Sequence, residues 1–209
     1  MDRINTICVF GGSNLGKDGE FQHAASTLGK ALAARKINLV YGGGIQGLKG
    51  CVAGSALTKG CNVLGVGLKN GGTSYFTLGT ELKVATMHDR MRHMLVNSNA
   101  FIALPGGLGT MEEIFTIIFW AYRNFHKKPL GLLNINGFYN GLISFLDHAV
   151  EQEFMPQSMR NIIVSASTVE QLLEILQNPT SELSQAMQLV NQPNQDGRDK
   201  REPDTTLRL

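Results

Sequence analysis

The stretch Leu104-Pro105-Gly106-Gly107-Leu108-Gly109-Thr110-Met111-Glu112-Glu113 brings glycines, a hydroxyl and two carboxylates together between two apolar runs. The run before it, Ala100 to Leu104, has strand character. The run after it, Met111 to Tyr122, has helix character. Glycines at this junction let the backbone turn tightly and approach a ligand without a Cβ in the way. The free N–H groups of a helix start, together with the helix dipole, favour an anion there. Gly106, Gly107, Gly109 and Thr110 are therefore candidate anion contacts, with Thr110 expected at the N-cap. Glu112 and Glu113 are expected in the first helical turn. A carboxylate next to an anion cradle serves acid–base or electrostatic chemistry better than it serves binding alone.

Three further stretches carry candidate residues. Gly11-Gly12-Ser13-Asn14 follows the first apolar run, where a doubly wound fold places a ligand loop, and Gly12 and Ser13 are its candidate contacts. Gly42-Gly43-Gly44-Ile45-Gln46-Gly47 fits the G-x-G-x-x-G dinucleotide pattern in form. It follows the second strand rather than the first, and Val63 to Lys69 lacks the acidic residue that would read a ribose about 20 residues further on. A nicotinamide cofactor is not expected, and Gly43 and Gly44 remain candidates for a loop that approaches phosphate or ribose. In Thr86-Met87-His88-Asp89-Arg90-Met91-Arg92-His93-Met94, Arg90 shares a helical face with Met87 and Met94 and can reach a phosphate or a departing base. Met87 and Met91 are candidate substrate contacts beside it. Arg92 reads as a solvated charge and Asp89 as a complement to the helix dipole. His88 and His93 lack a third ligand at metal spacing, so no metal is expected.

These stretches need a frame. Strand-like runs at Ile4 to Phe10, Ile37 to Tyr41, Asn62 to Val66, Glu81 to Ala85, Phe101 to Leu104, Leu130 to Asn134 and Ile162 to Val164 alternate with helix-like segments. The helices are expected at Phe21 to Arg35, Leu48 to Lys59, Met87 to Asn97, Met111 to Arg123, Tyr139 to Glu153 and Val169 to Gln177. Near-continuous apolar strands alternating with helices predict an α/β fold: a doubly wound parallel sheet with helices on both faces and the ligand at the carboxyl ends of the strands. The helix after Glu113 is apolar almost all round, through Ile114, Phe115, Ile117, Ile118, Phe119 and Trp120. That pattern predicts burial on more than one side, either within the core alone or, the reading preferred, against its own sheet and against a second subunit of a homodimer.

The whole-chain balance narrows the class. The chain has 209 residues, 43% hydrophobic and 17% charged, so one soluble globular domain over residues 1–190 is expected. A net charge of +2 gives no ground for nucleic acid as a partner. Cys8, Cys51 and Cys61 have apolar neighbours and no C-x-x-C spacing, which reads as buried free thiols. The start of the chain has no long apolar run, and no stretch approaches membrane-spanning length, so a cytoplasmic protein without a membrane partner is expected. From Asn191 to Leu209 the chain turns polar and rich in mixed charge, and a disordered tail is expected there.

Taken together, these residues resemble the LOG (lonely guy) family of cytokinin riboside 5′-monophosphate phosphoribohydrolases, proteins often mislabelled lysine decarboxylases. The family pattern P-G-G-x-G-T-x-x-E is matched from Pro105 to Glu113, and M-H-x-R-K is matched at Met87, His88 and Arg90. The Val-Tyr-Gly-Gly-Gly run ending at Gly44, Gly47-Leu48, Trp120-Ala121 and Lys128 to Asn134 also fit, so the similarity spans residues 4–176. The resemblance implies a Rossmann-like fold and a homodimer with active sites near the interface. It implies hydrolysis of a nucleoside 5′-monophosphate to free base and ribose 5-phosphate, with no metal or redox cofactor. It places the catalytic roles on Arg90 and Glu113 and the phosphate loop on Gly106, Gly107, Gly109 and Thr110. The chain departs from the family at Met91, where lysine is usual, at Phe119, where threonine is common, and in the loop Lys69 to Gly79. These departures bear on which base is preferred, isopentenyl-type adenine or plain adenine. One rival on the same fold is a non-catalytic carrier of a nucleotide or of the molybdenum cofactor, which would not need both Arg90 and Glu113. Pyridoxal-dependent decarboxylation is not expected, because no lysine falls on a ligand loop together with a pyridinium partner.

Overall fold

The computed structural model describes residues 4–69 and 76–189. The expected tail at 191–209 and most of the loop between Lys69 and Gly79 lie outside the described residues. Seven parallel strands form one sheet: β1 (Thr6–Phe10), β2 (Asn38–Tyr41), β3 (Val63–Leu68), β4 (Thr80–Val84), β5 (Ala100–Ala103), β6 (Leu130–Leu133) and β7 (Ile163–Ala166). Their order is β4-β3-β2-β1-β5-β6-β7. The winding direction reverses between β1 and β5, whose register pairs Ile7 with Ala100 and Phe10 with Ala103. That reversal opens a crevice at the carboxyl ends of the two strands, where this class of sheet binds ligands.

Helices cover both faces, as the apolar strands require. On one face α1 (Gly19–Ala34), α2 (Gly47–Leu57) and α7 (Val169–Gln177) pack on Ile7, Val9, Leu39, Tyr41, Ala100 and Ile102. On the other, α3 (Met87–Val96), α4 (Leu108–Tyr122), α5 (Asn140–Glu151), α6 (Gln157–Asn161) and α8 (Ser181–Leu189) enclose Cys8, Phe10, Val40, Val66, Phe101 and Ala103. Alternate residues of each strand serve opposite cores, the period-two consequence of the pleat. The short helix α6, a 3₁₀ turn at Ile135–Gly137 and α8 were not expected from the sequence. Two are too short to show a helical period, and α8 follows Pro179 in a mostly polar stretch.

The local chemistry behind the site-bearing helices is direct. The Thr86 hydroxyl caps α3 by accepting the Asp89 N–H at 3.0 Å, and it donates to the Asp89 carboxylate at 2.8 Å. Asp89 is thus part of the cap as well as a charge at the positive helix end. By contrast, α4 starts at Leu108, earlier than the apolar periodicity implies, and its N-cap is Gly107, which has no side chain to cap it. Thr110 is therefore not the N-cap. It sits within the first turn, and Glu112 and Glu113 fall in the second turn rather than the first. Extended backbone at Gly107 (φ −95°, ψ −150°) leaves nothing to delay the helix beyond that residue.

Candidate active site

The consequence of a glycine cap is a set of open donors. Among the described residues, no protein acceptor takes the N–H groups of Leu108, Gly109 or Thr110. They lie at the positive end of a long helix, where Gly107, Gly109 and Thr110 line the crevice, which suits a phosphate. Gly107 and Gly109 have no atom within 4 Å of where a Cβ would stand, so their faces are clear for a ligand. Gly106 is constrained instead: a Cβ there would collide with the Thr110 hydroxyl and approach the Gly12 N–H at 2.9 Å. Gly12 N–H in turn donates to the Pro105 carbonyl at 3.0 Å, which ties the loop after β1 to the loop after β5.

On the far side of the crevice stands Arg90. Its Nε donates to the Val66 carbonyl at 3.1 Å and its Nη2 to the Gly42 carbonyl at 3.2 Å. The same Nη2 lies 3.1 Å from Glu113 Oε1. A planar fork held by a carbonyl of β3 and by the one just after β2 thus reaches across to α4, a geometry that an ammonium could not reproduce. A Cβ on Gly42 would run into that guanidinium, which explains glycine at this position. Burial pushes the Glu113 carboxyl above its ordinary range, while Arg90 and then Lys49 pull it back and Glu112 adds to the rise. A buried ion pair is weak evidence for stability, since desolvation offsets much of the attraction. Two buried charges at the mouth of a crevice therefore point to chemistry.

The crevice encloses about 380 Å³, within the range of small-ligand sites. Of the residues expected at the site, Gly12, Ser13, Met87, Arg90, Gly107, Gly109, Thr110, Glu112 and Glu113 line it together. Four do not. Met91 is 2% exposed and packs in the core with Met94 and Leu95, because one step along α3 from Arg90 turns the side chain away from the crevice. Gly43 and Gly44 take left-handed backbone (φ 72° and 85°) and carry the chain from β2 towards α2 without facing the crevice. Gly106 lies behind the cradle, against a neighbouring hollow lined also by Phe21 and Phe138.

Lys49 lines the crevice and was missed. It sits in the first turn of α2, not on a ligand loop. The available signal was that Lys49 is the only charge in α2, a helix otherwise built of small and apolar residues. Gly11, Asn14, Gly42 and Leu68 complete the lining. Elsewhere, the His88 and Trp120 rings pack edge to face, with centroids 5.5 Å apart. The cysteines are free, Cys8 and Cys61 buried as expected and Cys51 only partly so.

A doubly wound sheet with open helix-start amides at its reversal point and a buried Arg–Glu pair facing them defines a protein that handles phosphorylated ligands. A family model described as possible lysine decarboxylase matches residues 50–176. A probable cytokinin riboside 5′-monophosphate phosphoribohydrolase of Oryza sativa subsp. japonica is 49% identical over 180 residues, covering 85% of this chain and 72% of its own. A cytokinin riboside 5′-monophosphate phosphoribohydrolase of Arabidopsis thaliana is 46% identical over 178 residues, covering 84% of this chain and 83% of its own. The chain belongs to this family, the LOG family that its motifs resemble. Among solved structures, the molybdenum cofactor binding protein of Rippkaea orientalis superposes with a TM-score of 0.61 at 22% identity, over 84% of this chain and 96% of that one. At that identity the likeness concerns the fold.

Proposed function

We propose that the protein hydrolyses the N-glycosidic bond of a nucleoside 5′-monophosphate, a cytokinin riboside monophosphate or AMP, releasing free base and ribose 5-phosphate. The observation that carries this reading is the Arg90–Glu113 pair at 3.1 Å, set opposite the open amides of α4 in one crevice. The phosphate anchors on the N–H groups of Leu108 to Thr110. The C1′–N bond then breaks through an oxocarbenium-like state, as in other glycoside cleavages. Glu113 faces the positive charge that develops on the sugar and orients water or a ribose hydroxyl. Arg90 holds Glu113 in place, and its grip on two backbone carbonyls fixes the pair before substrate arrives.

The active unit is a homodimer. Leu108, Phe115, Phe119 and Tyr122 form an exposed apolar stripe along α4, opposite the face that buries Ile114, Ile117, Ile118 and Ala121. Phe119 at the usual threonine position strengthens the stripe, and Glu112 lies on the same edge as it enters the crevice. Residues 1–190 act as a single unit in the cytoplasm, where free thiols stay reduced. Neither nucleic acid nor membrane is a partner; among the described residues no helix is long and apolar enough to cross a membrane.

The test is incubation of the purified protein with a panel of nucleoside 5′-monophosphates and the matching nucleosides, following free base by chromatography. Base should be released from monophosphates and hardly at all from nucleosides. Tight nucleotide binding with no base released from any of them would replace the hydrolase by a carrier.

A further inference from the structure

The geometry points to Lys49 as the residue that reads the base, donating to an acceptor on the purine edge and disfavouring an apolar N6 substituent. The inference rests on the hydrolase reading and concerns which monophosphate it takes. The phosphate cradle follows β5, whereas the loop that Lys49 overlies follows β2, and β1 runs between them. The Lys49 stem folds back over that loop: its Cε lies 3.7 Å from where a Cβ on Gly44 would stand. The ends of β5 and β2 lie two strand spacings apart, about 9.5 Å, roughly the reach from the phosphate of a nucleotide to its base. The Arg90–Glu113 pair spans the gap, with the arginine bonded to Val66 of β3 and to Gly42 just after β2 and the glutamate carried by α4. With the phosphate on α4, the scissile bond falls at the pair and the base falls beyond it, among Lys49, Leu68 and Met87.

Leu68 and Met87 offer apolar surface to a purine face. Lys49 is half-buried, and among the described residues it has no hydrogen-bond or ion-pair partner. Burial first, and then the Arg90 charge, push its pKa down, while Glu113 opposes. An ammonium in that setting gains from an acceptor and loses against a hydrocarbon group that cannot supply one. In the reaction the electron pair of the C1′–N9 bond moves onto the base. Water supplies hydroxyl to C1′ and its remaining proton to the base, and Lys49 holds the ring acceptor as negative charge builds.

The test compares wild type with Lys49→Met and Lys49→Gln. Rates of base release are taken with AMP and with N6-isopentenyl-AMP, and binding of ribose 5-phosphate is measured by calorimetry. In both variants the AMP-to-isopentenyl ratio of kcat/KM should fall by about 10-fold or more, the range of a hydrogen bond to a charged group. Affinity for ribose 5-phosphate should stay within about twofold, because the base contact is absent from that ligand. An unchanged ratio in both variants overturns the inference, and so does a comparable loss of ribose 5-phosphate binding, which would make Lys49 a phosphate ligand. If wild type releases base from neither nucleotide, the hydrolase reading falls on its own. The same ratio taken from dissociation constants then decides the role of Lys49.

Discussion

Arg90 Nη2 lies 3.1 Å from Glu113 Oε1, with only 9% and 10% of the two side chains exposed. Each charge is out of water and depends on the other. Glu113→Gln should keep the fold and lower turnover by at least about 100-fold, the low end for a lost acid–base group. Arg90→Ala should lose comparable activity and also destabilise the protein by about 3–5 kcal/mol, since it strands a buried carboxylate. Arg90→Lys should rescue poorly, and the double variant should be little worse than the worse single one. Steady-state rates and chemical denaturation check these outcomes. Near-wild-type base release by Glu113→Gln would remove that residue from the mechanism.

The raised pKa of Glu113 gives activity and stability opposite pH trends. In the proposed mechanism the ionised carboxylate is the working form, so kcat/KM should rise with pH through a midpoint above the ordinary carboxylate range. For stability, a carboxyl whose folded pKa is raised contributes fully below its unfolded pKa, and that contribution is lost as pH rises through the folded value. Glu113→Gln should therefore gain in melting temperature relative to wild type as pH increases across that window. A pH–rate profile without an acidic limb, or a melting difference that is flat with pH, would contradict this.

Gly42→Ala tests the backbone beneath the pair. The added methyl would occupy the position of the Arg90 guanidinium, while the amides of α4 stay untouched. Displacement by an ångström or so should lower turnover by about 100-fold. Ribose 5-phosphate should still bind, as calorimetry would show. Full activity in this variant would mean that the arginine works from another position.

His126 governs acid stability away from the site. The Lys128 N–H donates to its Nδ1 at 3.1 Å, so Nε2 carries the proton and donates to the Ile117 carbonyl at 2.9 Å. Burial lowers its pKa from 6.5 to about 4. A histidine depressed in this way contributes stability that is full above pH 6.5 and lost as pH falls towards 4, on the order of 3 kcal/mol in all. His126→Gln should flatten the melting curve over that interval.

The exposed stripe on α4 predicts the assembly. Phe115→Asp combined with Phe119→Asp should turn a dimer into a monomer in light scattering coupled to size exclusion, without unfolding the protomer, because both side chains face outward. A wild-type protein that runs as a monomer at micromolar concentration would refute the homodimer.

The sequence by itself determined what depends on neighbours along the chain. Apolar strands alternating with helical periodicity specified a parallel sheet covered on both faces, and Pro105 to Glu113 marked a cradle at a helix start. The Met-His-x-Arg run singled out Arg90. Tertiary structure decided what depends on strand order. Arg90 meets Glu113 only because the order of the strands sets α3, whose guanidinium is held by Val66 and Gly42, across the crevice from α4, and nothing in the spacing of the two residues encodes that. Lys49 reaches the crevice because its stem folds back over the loop after β2, whereas Met91, one step from Arg90, turns into the core. The first turn of α4 escaped the periodicity because Leu108 is exposed and Gly107 and Gly109 have no side chain to bury. Local pattern dictates an element and its faces, but the side chain that faces a ligand is settled when separate elements close on one another.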